Sequence, residues 1–206
     1  MLYALGFDPD LHKTAGAIVA QDDQGLLEIC SMRVFSPPVK LKGQQAAAAM
    51  CAYLSVEAAR WVNQIRFQFP VQIIVAEGQR IHGGANATRN WDSITALGPV
   101  SGACVAATVP AVGGKGLRVS IPTPDEWTRG VPKHVRQARM WKMWDEPYEV
   151  RGSAGAQYAV PMTETTRVGF NVGEWKHLGD AVGLALWGLS QLQGGSLPVA
   201  DEQGPH

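Results

Sequence analysis

Cysteine is scarce in this chain: Cys30, Cys51 and Cys104 are the only three among 206 residues. An odd number at wide spacing makes neither a disulfide framework nor a zinc pattern, so a reducing, cytoplasmic setting is expected. An excess of one charge sign is also lacking. The 18 basic and 18 acidic residues give a formal net charge of zero. A neutral total neither demands nor forbids a nucleic-acid partner, and only local clustering can say more. No apolar run is read as long enough to cross a membrane, so no membrane partner is expected. Met1 leads straight into an apolar stretch without the basic and hydrophobic regions of a secretory signal. No internal repeat and no second compositional regime stand out. Residues 1–193 are therefore read as one domain and 194–206 as a disordered tail. At 22.1 kDa and 46% hydrophobic content, there is ample material for a core.

What is present begins with Leu2-Tyr3-Ala4-Leu5-Gly6-Phe7-Asp8. A short, continuous apolar run of this kind reads as a strand buried on both faces of a sheet. Pro9 has no amide hydrogen for a ladder and ends it. Asp8 then stands at the C-terminal edge of a central strand, where open α/β sheets place their chemistry. Asp before a loop also commonly opens an Asx-type turn, and this stretch alone leaves both roles open. Ala15–Ala20 and Leu26–Phe35 read as two further strands of an antiparallel meander. The turn at Asp22-Asp23-Gln24-Gly25 joins them. Gly43–Phe69 reads as a long helix with one apolar stripe through Met50, Leu54, Ala58, Trp61, Val62, Ile65 and Phe69. After Pro70, Val71–Glu77 repeats the logic of the first strand: apolar residues ending in a carboxylate. A strand reached through a helix is expected to lie parallel to the first, which would bring Glu77 to the edge that carries Asp8.

Trp91–Val109 reads as a second helix that Pro99 should kink or interrupt. Leu117–Ile121 reads as a fifth strand, and Pro122–Trp127 as a helix start. Another helix is expected over Val131–Trp144, and a long irregular segment over Tyr148–Phe170. Arg129, Lys133, His134, Arg136, Arg139 and Lys142 occur in a stretch without an acid. A solvated helix face would look the same, but this stretch follows the fifth strand and can face the same edge. Arg80 sits in a polar loop directly after Glu77. The final helix, Glu174–Leu192, carries Glu174, His177 and Asp180 three residues apart on one face. Glu174 is read as first-turn solvent surface. His177 and Asp180 are read as projecting toward the strand edge.

These pieces resemble the RuvC-like Holliday junction resolvases of the RNase H-like superfamily. The resemblance is carried by Leu5-Gly6-Phe7-Asp8-Pro9, Ile74-Val75-Ala76-Glu77-Gly78-Gln79 and His177-Leu178-Gly179-Asp180-Ala181, with Leu97–Ala107 similar to the family's helix after the second acid. It implies an RNase H-like α/β fold, a five-stranded mixed sheet flanked by helices. It implies a homodimeric endonuclease that cuts four-way and other branched DNA by two-metal-ion phosphodiester hydrolysis. By resemblance, Asp8 bridges two Mg²⁺ ions, with Mn²⁺ able to substitute. Glu77 and Asp180 hold one ion each, and His177, at a position occupied by Asp or His in the family, is a further metal ligand. Carboxylates suit such hard cations, and a pair about 3.5–4 Å apart can activate water and stabilise the leaving O3′. A lysine near the scissile phosphate would correspond to Lys133, with Arg136, Arg129, Arg139 and Arg80 as further DNA contacts.

Two departures are visible. Asp10 replaces a usual glycine and is read as a loop acid. No aromatic wedge follows Glu77 among Gly78, Gln79, Arg80 and Ile81, which points to a relaxed, phage-type resolvase acting in the host cytoplasm. Two alternatives belong to other classes. A catalytically weak DNA-binding or assembly protein of the same fold is opposed by the intact Asp8, Glu77, His177 and Asp180. An actin-like phosphotransferase would need a glycine-rich phosphate loop after Asp8, and Asp10-Leu11-His12-Lys13 supplies none.

Overall fold

The structure, a computed structural model, describes residues 1–79, 87–113, 116–131, 147–151, 157–161 and 172–194. β1 (Leu2–Asp8), β2 (Thr14–Gln21) and β3 (Leu27–Phe35) form the antiparallel meander. α1 (Gly43–Ile65) leads to β4 (Ile73–Ala76), which pairs parallel to β1 with Phe7 opposite Ala76. α2 (Ala87–Val112) leads to β5 (Arg118–Ser120), parallel to β4. The sheet runs β3-β2-β1-β4-β5, a five-stranded mixed sheet. α3 (Pro124–Thr128), a hairpin of β6 (Pro147–Arg151) and β7 (Gln157–Pro161), and α4 (Val172–Leu192) complete the elements.

Side chains alternate across a pleated strand, so each central strand divides its residues between two cores. Ala4, Ile73 and Val75 belong to the core under α4, with Leu178, Ala181, Val182 and Ala185. Leu5, Phe7, Ile74 and Ala76 belong to the opposite core, with α1 and α2. There Phe7, Phe35 and Trp61 form an aromatic triangle with centroids 5.7–6.4 Å apart. Period two puts Asp8 with Ala4 and Gly6 on the α4 face, and Glu77 with Ile73 and Val75 on that same face.

α4 approaches that face closely. A Cβ on Gly6 would stand 2.1 Å from the Ala181 carbonyl oxygen, and one on Gly188 would stand 2.8 Å from Val75 Cγ2. Glycine at both positions lets helix and sheet meet nearly backbone to backbone, and this brings the first turns of α4 to the end of β1.

Several expectations need correction. α1 ends at Ile65 rather than Phe69. Residues 66–69 form turns in which the Gln68 and Phe69 amides both bond to the Ile65 carbonyl. Pro99 and Pro110 both lie inside an uninterrupted α2. Packing of Ala96, Val100, Cys104 and Ala111 into the core with α1 outweighs the lost amide bonds. The 147–170 stretch is not irregular throughout, because it contains the β6–β7 hairpin. One apolar window does reach membrane-crossing length and composition: Thr95–Val112, with mean hydropathy 1.4. Its buried side packs against α1, while Gly98, Gly102, Ala106 and Pro110 form an exposed, uncharged ridge at i, i+4 spacing. The helix expected over Val131–Trp144 and the tail beyond Gly194 lie outside the described residues, apart from Val131 itself.

Candidate active site

The site begins with register. Phe7 and Ala76 are paired in the parallel β1/β4 ladder, so the next residues, Asp8 and Glu77, leave the sheet side by side. The ladder continues one bond further, with the Glu77 amide donating to the Phe7 carbonyl at 3.1 Å. The Glu77 carbonyl accepts the Ser101 hydroxyl of α2 at 2.8 Å. The Gly78 amide donates to the Pro122 carbonyl at 2.7 Å. Glu77 is thus held through its main chain by β1, α2 and the segment following β5.

Asp8 is 6% exposed. Its Oδ2 lies 2.7 Å from His177 Nδ1 on α4. Against an ionised Asp8 the Nδ1 position carries the hydrogen and donates it, which leaves the Nε2 lone pair as the ring's basic site. Asp180, one turn further along the same face, is 3% exposed. Two buried acids, Asp8 on β1 and Asp180 on α4, thus accompany the Asp8–His177 contact.

Glu77 is met from a third direction. Trp127 Nε1 donates to Glu77 Oε1 at 3.0 Å, and Trp127 is itself 3% exposed in the core under α4. Sequence reasoning read Trp127 only as part of the helix start over Pro122–Trp127 and missed this contact. Its signal is positional: an indole on a short helix that starts just past the C-terminal end of β5, at the edge where the acids gather. Ser101, inside the Trp91–Val109 helix reading, was likewise not recognised as a support for Glu77.

Asp10 is a loop acid as expected. Its Oδ1 accepts the His12 and Lys13 amides at 2.8 and 3.1 Å, an Asx-type arrangement. Glu174 is not simple solvent surface. It pairs with Lys13 at 3.2 Å and ties the β1–β2 loop to the first turn of α4. Cysteine chemistry has no place here. Burial, assisted by Glu28, pushes the Cys30 thiol up to about 11. Burial raises Cys51 and strongly raises Cys104. All three stay protonated thiols, which are poor nucleophiles.

Of the cationic set, Arg129 is described. It is exposed, caps α3 in the left-handed conformation at φ 51°, and lies two residues from Trp127. Lys133, Arg136, Arg139 and Arg80 lie outside the described residues. The donor set of Asp8, Glu77 and Asp180 is oxygen-rich and hard, which fits Mg²⁺ or Mn²⁺. Among the described residues, no three His, Cys, Asp or Glu side chains are gathered closely enough to hold an ion as they stand. Any such centre therefore requires some of these side chains to draw closer around the cation.

Sheet order, parallel β1/β4 pairing and the α4 crossing define an RNase H-like α/β fold. Solved structures place it more narrowly. The structure of T. thermophilus RuvC in complex with Holliday junction substrate superposes with a TM-score of 0.55 at 13% identity, over 95% of this chain and 99% of that one. A Thermus thermophilus RuvC structure gives 0.52 at 18% identity, over 94% and 97%. The chain thus has the fold of RuvC-like resolvases across nearly its whole length. No protein-family profile matches the sequence, and no curated protein does.

Proposed function

We propose that the protein is a metal-dependent, structure-selective endonuclease that resolves four-way and other branched DNA junctions, acting as a homodimer. The observation that carries this reading is the convergence at one sheet edge. Asp8 and Glu77 leave β1 and β4 in register, and His177 of α4 touches Asp8. The full-length likeness to RuvC supports it. Asp8, Glu77 and Asp180 would hold Mg²⁺ or Mn²⁺, with His177 beside them. Bound there, two divalent ions would activate a water and stabilise the departing O3′.

The chain's own groups have separable tasks in this reading. Asp8 and Glu77 supply negative charge from strand ends whose main chain the sheet holds in place. His177 donates from Nδ1 to Asp8 and fixes that carboxylate's rotamer, a common second role for a ring beside a ligating acid. Arg129 stands exposed at the rim, and with Lys133, Arg136, Arg139 and Arg80 it would meet the phosphate backbone. Homodimerisation matches the chemistry of a junction, which has two strands to cut symmetrically. The exposed small-residue ridge of α2 suits a close helix contact.

The test is incubation of the purified protein with a synthetic four-way junction and a linear duplex, each with Mg²⁺, Mn²⁺ or EDTA. Paired, symmetric cuts near the junction, with Mg²⁺ or Mn²⁺ only, are expected. Junction binding without cleavage under any metal would instead favour a DNA-binding role for the fold.

A further inference from the structure

We infer that Trp127 is the positioning residue for Glu77: its indole N–H fixes the orientation in which that carboxylate meets a divalent cation. The inference rests on the metal-site reading above and extends it to a residue outside the acid set. The contact is direct, Nε1 to Oε1 at 3.0 Å. The donor is immobile. Trp127 is 3% exposed and belongs to the same core cluster as Trp175 and Leu178 of α4.

Its helix is also anchored at the start. Thr123 and Glu126 form a reciprocal capping box, with the Thr123 amide and hydroxyl donating to Glu126 Oε2 at 2.7 and 2.9 Å. The Gly78 amide bonds to the Pro122 carbonyl, tying the residue after Glu77 to the residue before that cap. Glu77 and Trp127 are therefore held in one rigid frame rather than on independently moving loops.

The donor's chemistry suits this task. An indole N–H can only donate, and a carboxylate oxygen is a natural acceptor for it. It carries no formal charge and does not compete with a cation for the site, as a lysine or arginine would. One N–H takes one of about four lone-pair positions of a carboxylate and sets the plane in which the rest lie. A carboxylate pre-set in this way loses less rotamer freedom when a cation binds.

The test uses full-length protein with Trp127→Phe, which keeps an aromatic ring in the core but removes the donor. A second variant carries benzothienylalanine at position 127, which replaces the N–H by sulfur at nearly constant shape. Divalent-ion affinity is measured by calorimetry with Mn²⁺ alone, without DNA. The indole Nε1–H resonance of Trp127 is followed by NMR during Mg²⁺ titration. Cleavage is measured across Mg²⁺ concentration.

Loss of one hydrogen bond to a charged group predicts about tenfold weaker Mn²⁺ binding in both variants. It also predicts a matching rise in the Mg²⁺ needed for half-maximal cleavage, with the rate at saturating Mg²⁺ kept within about threefold. The Trp127 resonance should move with Mg²⁺ in the wild type and stay fixed in Glu77→Ala. Unchanged Mn²⁺ affinity in the benzothienylalanine variant, with wild-type binding intact, overturns the inference alone. So does a resonance indifferent to Mg²⁺. Absence of Mn²⁺ binding and of cleavage in the wild type removes the nuclease reading together with it.

Discussion

Asp8 and Asp180 are carboxylates with 6% and 3% exposure, each at the edge where β1 and α4 meet. His177 bonds Asp8, and in the proposed metal site the charge of both carboxylates is what a cation would need. Asparagine keeps the volume and can still bond to neighbours, but it cannot supply the charge. Asp8→Asn and Asp180→Asn are therefore expected to lower cleavage by more than the roughly 10–100-fold typical of an outer partner to a metal ligand, while junction binding stays nearly unchanged. Gel-shift and single-turnover cleavage on one junction check both halves. Wild-type rates in either variant would remove that residue from the site. Glu77 and His177 belong to the same constellation, but their hydrogen bonds to Trp127 and Asp8 make their substitutions harder to read in isolation.

At the scale of elements, the α4–β1 crossing decides whether His177 and Asp180 reach the strand edge at all. Gly6→Ala would drive a methyl group to 2.1 Å from the Ala181 carbonyl, against backbone that cannot rotate away. A loss of at least the ~1–3 kcal/mol of an overpacked core is expected, together with displacement of His177 from Asp8. Urea denaturation measures the first, and the histidine side-chain NMR signals report the second. Stability within error of wild type would mean that the helix can move off the sheet freely.

The α3 cap gives a pH prediction. The Thr123 amide and hydroxyl both donate to Glu126 and hold its carboxyl below the ordinary glutamate range. A depressed folded-state pKa stabilises the fold above the unfolded value, and that contribution disappears as pH falls through the folded value. The stability difference between wild type and Glu126→Gln should therefore be present at neutral pH and shrink in acid. Urea midpoints across pH check this, and a difference that grows in acid would contradict the cap's role.

At the scale of the whole molecule, the α2 ridge of Gly98, Gly102, Ala106 and Pro110 is exposed among the described residues. Among the described residues nothing lies within 4 Å of a Cβ placed on Gly98 or Gly102, so a second helix could approach that surface closely. The expected state is a two-fold dimer at micromolar concentration. Ala106→Glu should shift it toward monomer without loss of helical circular dichroism, because the substitution adds charge to an exposed position. Sedimentation showing only monomer for the wild type, with and without junction, would contradict the dimer.

Much of this was legible in the chain itself. Short apolar runs ending in Asp8 and Glu77 specified buried strands with acids at their ends, because continuous hydrophobicity followed by Pro9 or Gly78 permits little else. The three-residue spacing of Glu174, His177 and Asp180 put them on one helical face, because 3.6 residues complete a turn. Asp10 was read as a loop acid, and in the structure its carboxylate accepts the nearby His12 and Lys13 amides.

The rest depended on contacts between residues far apart in sequence. The pairing of Phe7 with Ala76 set the two acids side by side. Pleat parity turned both toward α4. Packing kept α2 continuous through two prolines, and Lys13 claimed Glu174 from solvent. Trp127 was visible only as an indole in a helix start, and its bond to Glu77 spans 50 positions. Local periodicity reports which face a side chain occupies. Only the assembled sheet and its crossing helix decide which distant carboxylate that side chain will meet.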